Sequence, residues 1–289
     1  MQCFLRTMDV VEPMDCSDVE NNQLGDNSCP KHRGLAIIAI FRTFKSKALP
    51  EITHVDEDRK LLEEGFRKLQ YGVAVWDEKM DKEEFIRRLE QVSVDPFHEN
   101  CETFALAIIT HGDKNGKLYA YDMDFTRQDV CKVFCSENCS GLKNKFKLFI
   151  FHACRGKNYG KGVQASGKIW KDELPISKLR DHIEKDNLIL CSTFEDKVAF
   201  APEKDKGSFF IRTMNKVMKE EADKEDGKRN HILILLTAVI KMTASKNFAS
   251  CKQQPVLMMA LHKLYHFKNK EIIPEECLQR FQLKALLTN

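Results

Sequence analysis

Two short stretches carry side chains suited to nucleophilic chemistry. FIFHACRG (149–156) ends an apolar run on Cys154, Arg155 and Gly156, and ITHGDKNG (109–116) leaves another apolar run on His111 and Gly112. A thiol near an imidazole is either held as a thiolate or loses its proton during attack. A glycine beside the histidine lets the backbone come close to a substrate, so the Gly112 and Cys154 N–H groups together form a candidate oxyanion hole. The competing reading is a core cysteine and a hydrogen-bonded core histidine. Chemistry is favoured because both residues occupy equivalent places, each after a strand-length apolar run and before a glycine-containing loop. In a parallel sheet the C-terminal strand ends share one edge, and α/β sites form there. If both runs are parallel strands, His111 and Cys154 emerge together.

The elements that must position them are legible as alternation. LAIIAIF (35–41), YGVAVW (71–76), FALAIIT (104–110), FKLFIFH (146–152), NLILCST (187–193) and PVLMMALHKLY (255–265) read as strands, mostly continuous apolar runs of the kind buried on both faces. Between them, Leu61, Leu62, Phe66 and Leu69 fall at helical spacing in 58–70, and FIRRLEQV (85–92) belongs to a helix starting near Asp81. Residues 208–224 and 228–245 read as two more helices. This pattern predicts an α/β fold of three layers, α/β/α, built on a mostly parallel six-stranded sheet with helices on both faces. Residues 1–31 are polar and unperiodic and read as a flexible leader ending by residue 33, whereas 155–186 reads as a loop between two blocks.

Composition narrows the partners. The chain has 289 residues, 43% hydrophobic and 31% charged, with a formal net charge of +3, which gives no reason to expect nucleic-acid binding. No apolar run approaches the roughly 20 residues needed to span a bilayer, and no signal peptide opens the chain. Eleven scattered cysteines then read as reduced thiols of a cytoplasmic or nuclear protein. Cys131, Cys135 and Cys139 recur at i, i+4, i+8, which on a helix would put the first two on one face. No fourth zinc ligand accompanies them, so they read as structural; no metal and no cofactor is expected.

Here the motifs reach a known family. His152-Ala153-Cys154-Arg155-Gly156, with His111 43 residues upstream in Thr110-His111-Gly112, resembles the QAC[RQG]G and Ser-His-Gly signatures of the caspases, cysteine endopeptidases of apoptosis that cut after aspartate. HVDEDRKLLEEGFRKLQYGV (54–73), CSTFEDKVAFAPEKDKGSFFIRTM (191–214) and QQPVLMMALHKLYHF (253–267) are similar to further caspase segments in the family's order. The resemblance implies a caspase-like domain over 34–267, with a large-subunit part at 34–165, a linker at 166–175 and a small-subunit part at 176–267. It also implies a catalytic pair His111 and Cys154, and pairing with itself or another caspase through the last strand, 255–261.

The likeness fails where a caspase grips aspartate. The family pocket uses two arginines and the glutamine of QACRG. Taking Asp58 as the aspartate that opens the first helix puts Ile52 at the first arginine position; at the second stands Ala201 counting from the front or Pro202 counting back from Gly207, and His152 replaces the glutamine. The nearest upstream bases are Arg42, Lys45 and Lys47. Removing one partner of a buried ion pair costs roughly 3–5 kcal/mol, so losing two arginines weakens selection for aspartate by several powers of ten. Lys197, Lys204 or Lys206 cannot copy the bidentate arginine geometry, and His152 supplies charge only when protonated. Asp172 and Asp181 lie in poor contexts for self-cleavage, and IEKD (183–186) falls at the start of a strand, which predicts an unprocessed chain. Residues 268–289 extend past the family's usual end; Leu278, Phe281, Leu283, Leu286 and Leu287 form the apolar side of a predicted helix packing on its own domain. The leading expectation is a regulator of apoptosis that dimerises with and modulates an active caspase. The alternative is a peptidase with altered specificity acting on a peptide substrate; a third, cleavage after Arg or Lys aided by Glu51, Glu195 or Asp196, sits poorly with the caspase-like small-subunit part.

Overall fold

A computed structural model describes residues 30–53, 55–113, 116–154, 184–194, 197, 199, 206–248 and 251–282. The expected leader as far as residue 29, most of the linker loop with Asp172 and Asp181, and Ala201, Lys204, Leu283, Leu286 and Leu287 lie outside the described residues.

The element order is β1 (His32–Ile40), α1 (Val55–Lys68), β2 (Gly72–Trp76), α2 (Lys82–Ser93), β3 (Cys101–Ile109), β4 (Lys117–Tyr119), β5 (Asp124–Thr126), α3 (Arg127–Val133), β6 (Phe146–His152), β7 (Asn187–Cys191), α4 (Phe209–Ala222), α5 (Ile232–Ser245), β8 (Asn247–Phe248), β9 (Cys251–Lys252), β10 (Val256–Met259) and α6 (Glu275–Leu278). Six strands form one sheet in the order β10-β7-β6-β3-β1-β2. All pairings are parallel except that of β10 with β7. Alternate residues of each strand feed two cores. Leu35, Ile37 and Ala39 join Phe85 and Leu89 of α2 and Val130 of α3 on one face. Ala36, Ile38 and Ile40 join Leu62 and Phe66 of α1, Phe210 of α4 and Leu235 of α5 on the other. Burial on both faces is why these strands read as unbroken apolar runs rather than as alternation. The three-layer α/β/α arrangement is therefore present.

Boundaries differ from the sequence reading in instructive ways. The last strand stops at Met259 instead of continuing to residue 265, because its partner β7 begins at Asn187 and the preceding Asp186 has φ +62. The Asp186 N–H donates to Ala260 O, and beyond that point no strand remains to pair with. The segment IEKD thus ends on a residue that is only 2% exposed and lies in a turn, not in the strand. Of the three regularly spaced cysteines only Cys131 lies on helix; α3 ends at Val133, and Cys135 and Cys139 follow it, all three buried. Among the described residues no group of three or more metal-ligating side chains assembles, and no helix is long and apolar enough to cross a membrane. The two small hairpins β4–β5 and β8–β9 left no periodic signal, being only two or three residues per strand.

The described part of the tail packs on the domain. Leu278 and Phe281 are buried, Leu278 and Ile273 close over Gly72, and the Trp76 indole donates to Phe281 O at 2.8 Å. At the opposite strand ends a fully buried Arg33 ties the chain together. Its guanidinium donates to Leu69 O (3.1 Å), to the Tyr265 hydroxyl (2.7 Å), to Glu102 and to Lys268 O, with the Phe267 ring 5.0 Å away. Beside it, Gly34 has φ +134 and its missing Cβ would lie 1.9 Å from Thr103 O, so no other residue fits.

Arg33→Met keeps the stem and deletes these donors; the expected loss is about 3 kcal/mol, read from the urea midpoint, and a loss below about 0.5 kcal/mol would show that the network contributes little. A second outcome concerns pH. His98 is fully buried, with Nε2 on Val92 O at 2.8 Å, and burial pushes its pKa down to about 4. The folded state therefore refuses a proton that the unfolded chain accepts below pH ~6.5, and stability falls by on the order of 3 kcal/mol as pH drops from ~6.5 to ~4. Thermal unfolding of His98→Gln should show a flatter slope in that window; an unchanged slope would assign the acid sensitivity elsewhere.

Candidate active site

Strands β3 and β6 are parallel, with Ile109 paired to His152. His111 and Cys154 each stand two residues beyond that pair, so they leave the sheet at equal height on adjacent strands. The backbone around them is fastened from both sides. Thr110 N–H donates to His152 O (3.3 Å) and its hydroxyl to Tyr119 O (2.5 Å). The Ser192 hydroxyl, just beyond β7, donates to Ala153 O at 3.3 Å, and Gln253 Nε2 donates to Ser192 O at 2.7 Å.

Gly112 bridges Leu118 of the β4–β5 hairpin, with Tyr119 N–H donating to His111 O and Asp113 N–H to Lys117 O, both at 3.1 Å. In that pattern the two flanking residues hold the hairpin and Gly112 directs its own N–H away from it. A Cβ on Gly112 would sit 2.2 Å from Cys154 O and 3.0 Å from the Ala153 Cβ. Only glycine permits the two loops to approach this closely, and this glycine shows no positive φ, so contact alone demands it.

The imidazole is oriented by a group that the sequence did not single out. His111 Nε2 donates to Pro50 O at 2.7 Å, and the Phe44 ring lies 4.8 Å from the histidine ring. A protonated Nε2 leaves Nδ1 as the basic nitrogen. Pro50 escaped notice because its contribution is a backbone carbonyl, which carries no residue-type signal. Cys154 is half-buried, and its thiol donates to Ala199 O at 3.7 Å. Burial pushes the thiol pKa up. No hydrogen bond joins Cys154 to His111, and burial favours the neutral form of the thiol.

Around this pair the pocket positions divide. His152 is buried at the end of β6, stacked on Phe210 at 5.7 Å, with Nδ1 lacking any partner. Its Nε2 is 3.8 Å from Asp58 Oδ2, outside hydrogen-bond range. Burial lowers the His152 pKa, and the pull of Asp58 in the other direction is the smaller effect, so the ring is neutral at pH 7. Asp58 lies in the first turn of α1, and its other oxygen accepts the Ser208 N–H at the start of α4. Gly207, with φ +69, is required there because a Cβ would come within 2.8 Å of Asp58 Oδ1. Asp58 therefore does not open α1, which begins at Val55; it serves the N-terminus of α4, where a carboxylate is favoured.

Ile52 packs half-buried against the core, and its N–H donates to Arg42 O at 2.9 Å. Arg42, the nearest upstream base, is held by Asp77 and by Asp56 at 2.6 Å. These bonds keep the Asp56 carboxyl below its usual range. Of the two described residues at the expected pocket positions, one is thus apolar and the other a neutral imidazole. Glu51 is exposed, and Glu195 and Asp196 lie outside the described residues.

A family model for the caspase domain matches residues 33–266. The chain belongs to the caspase family. It is 27% identical over 237 residues to caspase-3 of Xenopus laevis, covering 81% of this chain and 80% of that protein. It is also 27% identical to caspase-1 of Spodoptera frugiperda, covering 88% and 84%. The crystal structure of the Spodoptera frugiperda caspase-1 superposes with a TM-score of 0.71 at 25% identity, covering 86% of this chain and 98% of that one. The segment after residue 266, including the helix that packs beneath Trp76, falls outside the family match.

The raised thiol pKa has a measurable consequence. Alkylation of Cys154 by iodoacetamide, followed peptide by peptide with mass spectrometry, should be slower at pH 7.5 than for an unstructured thiol and should climb only at a higher pH than that thiol requires. His111→Asn should leave the pH 7.5 rate within about twofold, whereas a drop of ten-fold or more would reveal a thiolate–imidazolium pair.

Proposed function

We propose that this caspase-family chain is a regulator of apoptotic proteolysis that keeps His111 and Cys154 but lacks the basic pocket for aspartate, and that it acts by pairing with an active caspase. The observation that carries this reading is the state of the pocket positions. Ile52 offers no charge, His152 is buried and neutral beside the carboxylate of Asp58, and Arg42 is committed to Asp56 and Asp77. An aspartate side chain entering here would meet a carboxylate and no described guanidinium able to pair with it. A buried unpaired carboxylate is costly enough to exclude family-rate cleavage after aspartate.

Strand β10 supports the pairing. It is the edge strand next to β7, only half-buried, with Met259 47% exposed. An edge strand presents unpaired backbone groups to a partner, and the caspase resemblance implies a second caspase subunit in that place. The cytoplasm, where thiols stay reduced, is the compartment this reading assigns.

A second reading has its own observation: the Pro50–His111 contact and the Gly112–Cys154 approach retain what an acyl-transfer site needs. In that mechanism the His111 Nδ1 takes the thiol proton, Cys154 attacks the scissile carbonyl, and the imidazolium returns the proton to the leaving amine. The Gly112 and Cys154 N–H groups hold the oxyanion. The neutral pocket then favours an uncharged residue before the scissile bond.

Purified chain should not turn over any aspartyl peptide in a diverse library, with a kosmotropic salt present to favour dimers, and should behave like Cys154→Ala. Titrated into an active caspase, it should change that enzyme's rate at least twofold, and Met259→Glu on the pairing edge should abolish the change. Turnover that disappears in Cys154→Ala would instead establish the peptidase reading, and a strict monomer without effect on any caspase would sink the regulatory one.

A further inference from the structure

The six-stranded sheet has two ends, β10 and β2. Strand β2 reads Gly72-Val73-Ala74-Val75-Trp76, apolar throughout and rich in residues that favour strands. Left open at a sheet edge, such a segment is a template for pairing with another chain, and charged residues, proline or a bulge are the usual protection. None of these lies within β2, whose register with β1 runs unbroken from Gly72 to Trp76.

The tail covers this edge instead. Ile273 and Leu278 close over Gly72, and the Phe281 carbonyl accepts the Trp76 indole N–H at 2.8 Å. Gln282 completes the cover. Its Oε1 accepts the Val75 N–H at 3.4 Å, and its Nε2 donates to Val73 O at 3.3 Å. In a parallel ladder, one residue of a neighbouring strand donates to the carbonyl before the residue it faces and accepts from the N–H after it. The Gln282 carboxamide makes that pair of bonds around Ala74, so it stands where a seventh strand would place its donor and acceptor. All four covering residues lie beyond the part of the chain that matches the caspase family.

We propose that the tail is an edge guard: it occupies the β2 edge in place of a strand from a second copy of this chain, and so confines assembly to the β10 end of the sheet. The excluded occupant is another copy, because an apolar edge strand is complemented by another, and this chain supplies two, β2 and β10. Two open edges let copies join end to end without closing, whereas one open edge gives at most a closed pair. Confinement to β10 rests on the pairing proposed above; closure of β2 does not.

Sedimentation velocity over a concentration series tests the guard. The full chain should stop at a dimer, and a chain lacking residues 275–289 should grow past it as concentration rises. A monomeric full chain with a dimeric shortened chain would sink the β10 pairing and keep the guard. Val75→Pro in the shortened chain removes the outward N–H of β2 at a position where an edge strand tolerates proline, and should restore the full-chain distribution. In the full chain, Gln282→Ala should speed hydrogen exchange at the Val75 amide by about tenfold or more, and this result decides if the shortened chain does not fold. The proposal would be overturned by species beyond a dimer in the full chain, or by a folded shortened chain that associates no further than the full one. Association that survives Val75→Pro, or an unchanged Val75 exchange rate in Gln282→Ala, would overturn it equally.

Discussion

The parallel pairing of β3 with β6, with Ile109 opposite His152, is the constraint on which the site depends. Residues two steps beyond paired positions on adjacent parallel strands must leave the sheet side by side, and in this chain those residues are His111 and Cys154. Everything nearby maintains that register. Ser192 fastens the Cys154 loop from β7, Tyr119 fastens the His111 loop from the hairpin, and Gly112 allows the two to touch. A register shift of one residue would exchange the two faces of β3 and empty both cores, so the geometry of the pair is protected by the burial of the whole sheet.

At the same edge, the electrostatics are those of closed accounts. Among the described residues, Arg42 is matched by Asp56 and Asp77, and Asp58 by the backbone at the start of α4. His152 avoids needing a partner by staying neutral. A site that recognises a charged side chain needs the opposite, a buried charge left waiting for its ligand.

Much of the fold was legible in the sequence. All six sheet strands and the four longer helices showed as apolar runs and helical spacing, because burial on one face or two imposes a period on residue type. The same signal misplaced their ends. The last strand was drawn six residues too long, since Leu261 and Leu264 are as apolar as true strand residues, yet β7 provides no partner past Asn187. The i, i+4, i+8 cysteines read as structural and all three are buried, but α3 stops at Val133, so only Cys131 is on helix. The buried Arg33 network was invisible, because its partners Leu69, Glu102, Tyr265 and Lys268 are spread over the length of the chain.

For the site itself, the sequence determined which side chains are present: a thiol, an imidazole and glycine at equivalent strand ends, and no arginine at the expected first pocket position. Those facts depend on covalent order and on local apolar patterning, and both are written in residue types. Only the tertiary structure decided what each group faces. Pro50 O on His111, Asp58 beside His152 and Arg280 on Asp95 are contacts between segments dozens to hundreds of residues apart. Protonation state follows from such contacts and from burial, which depend on distance in space and leave no trace in spacing along the chain.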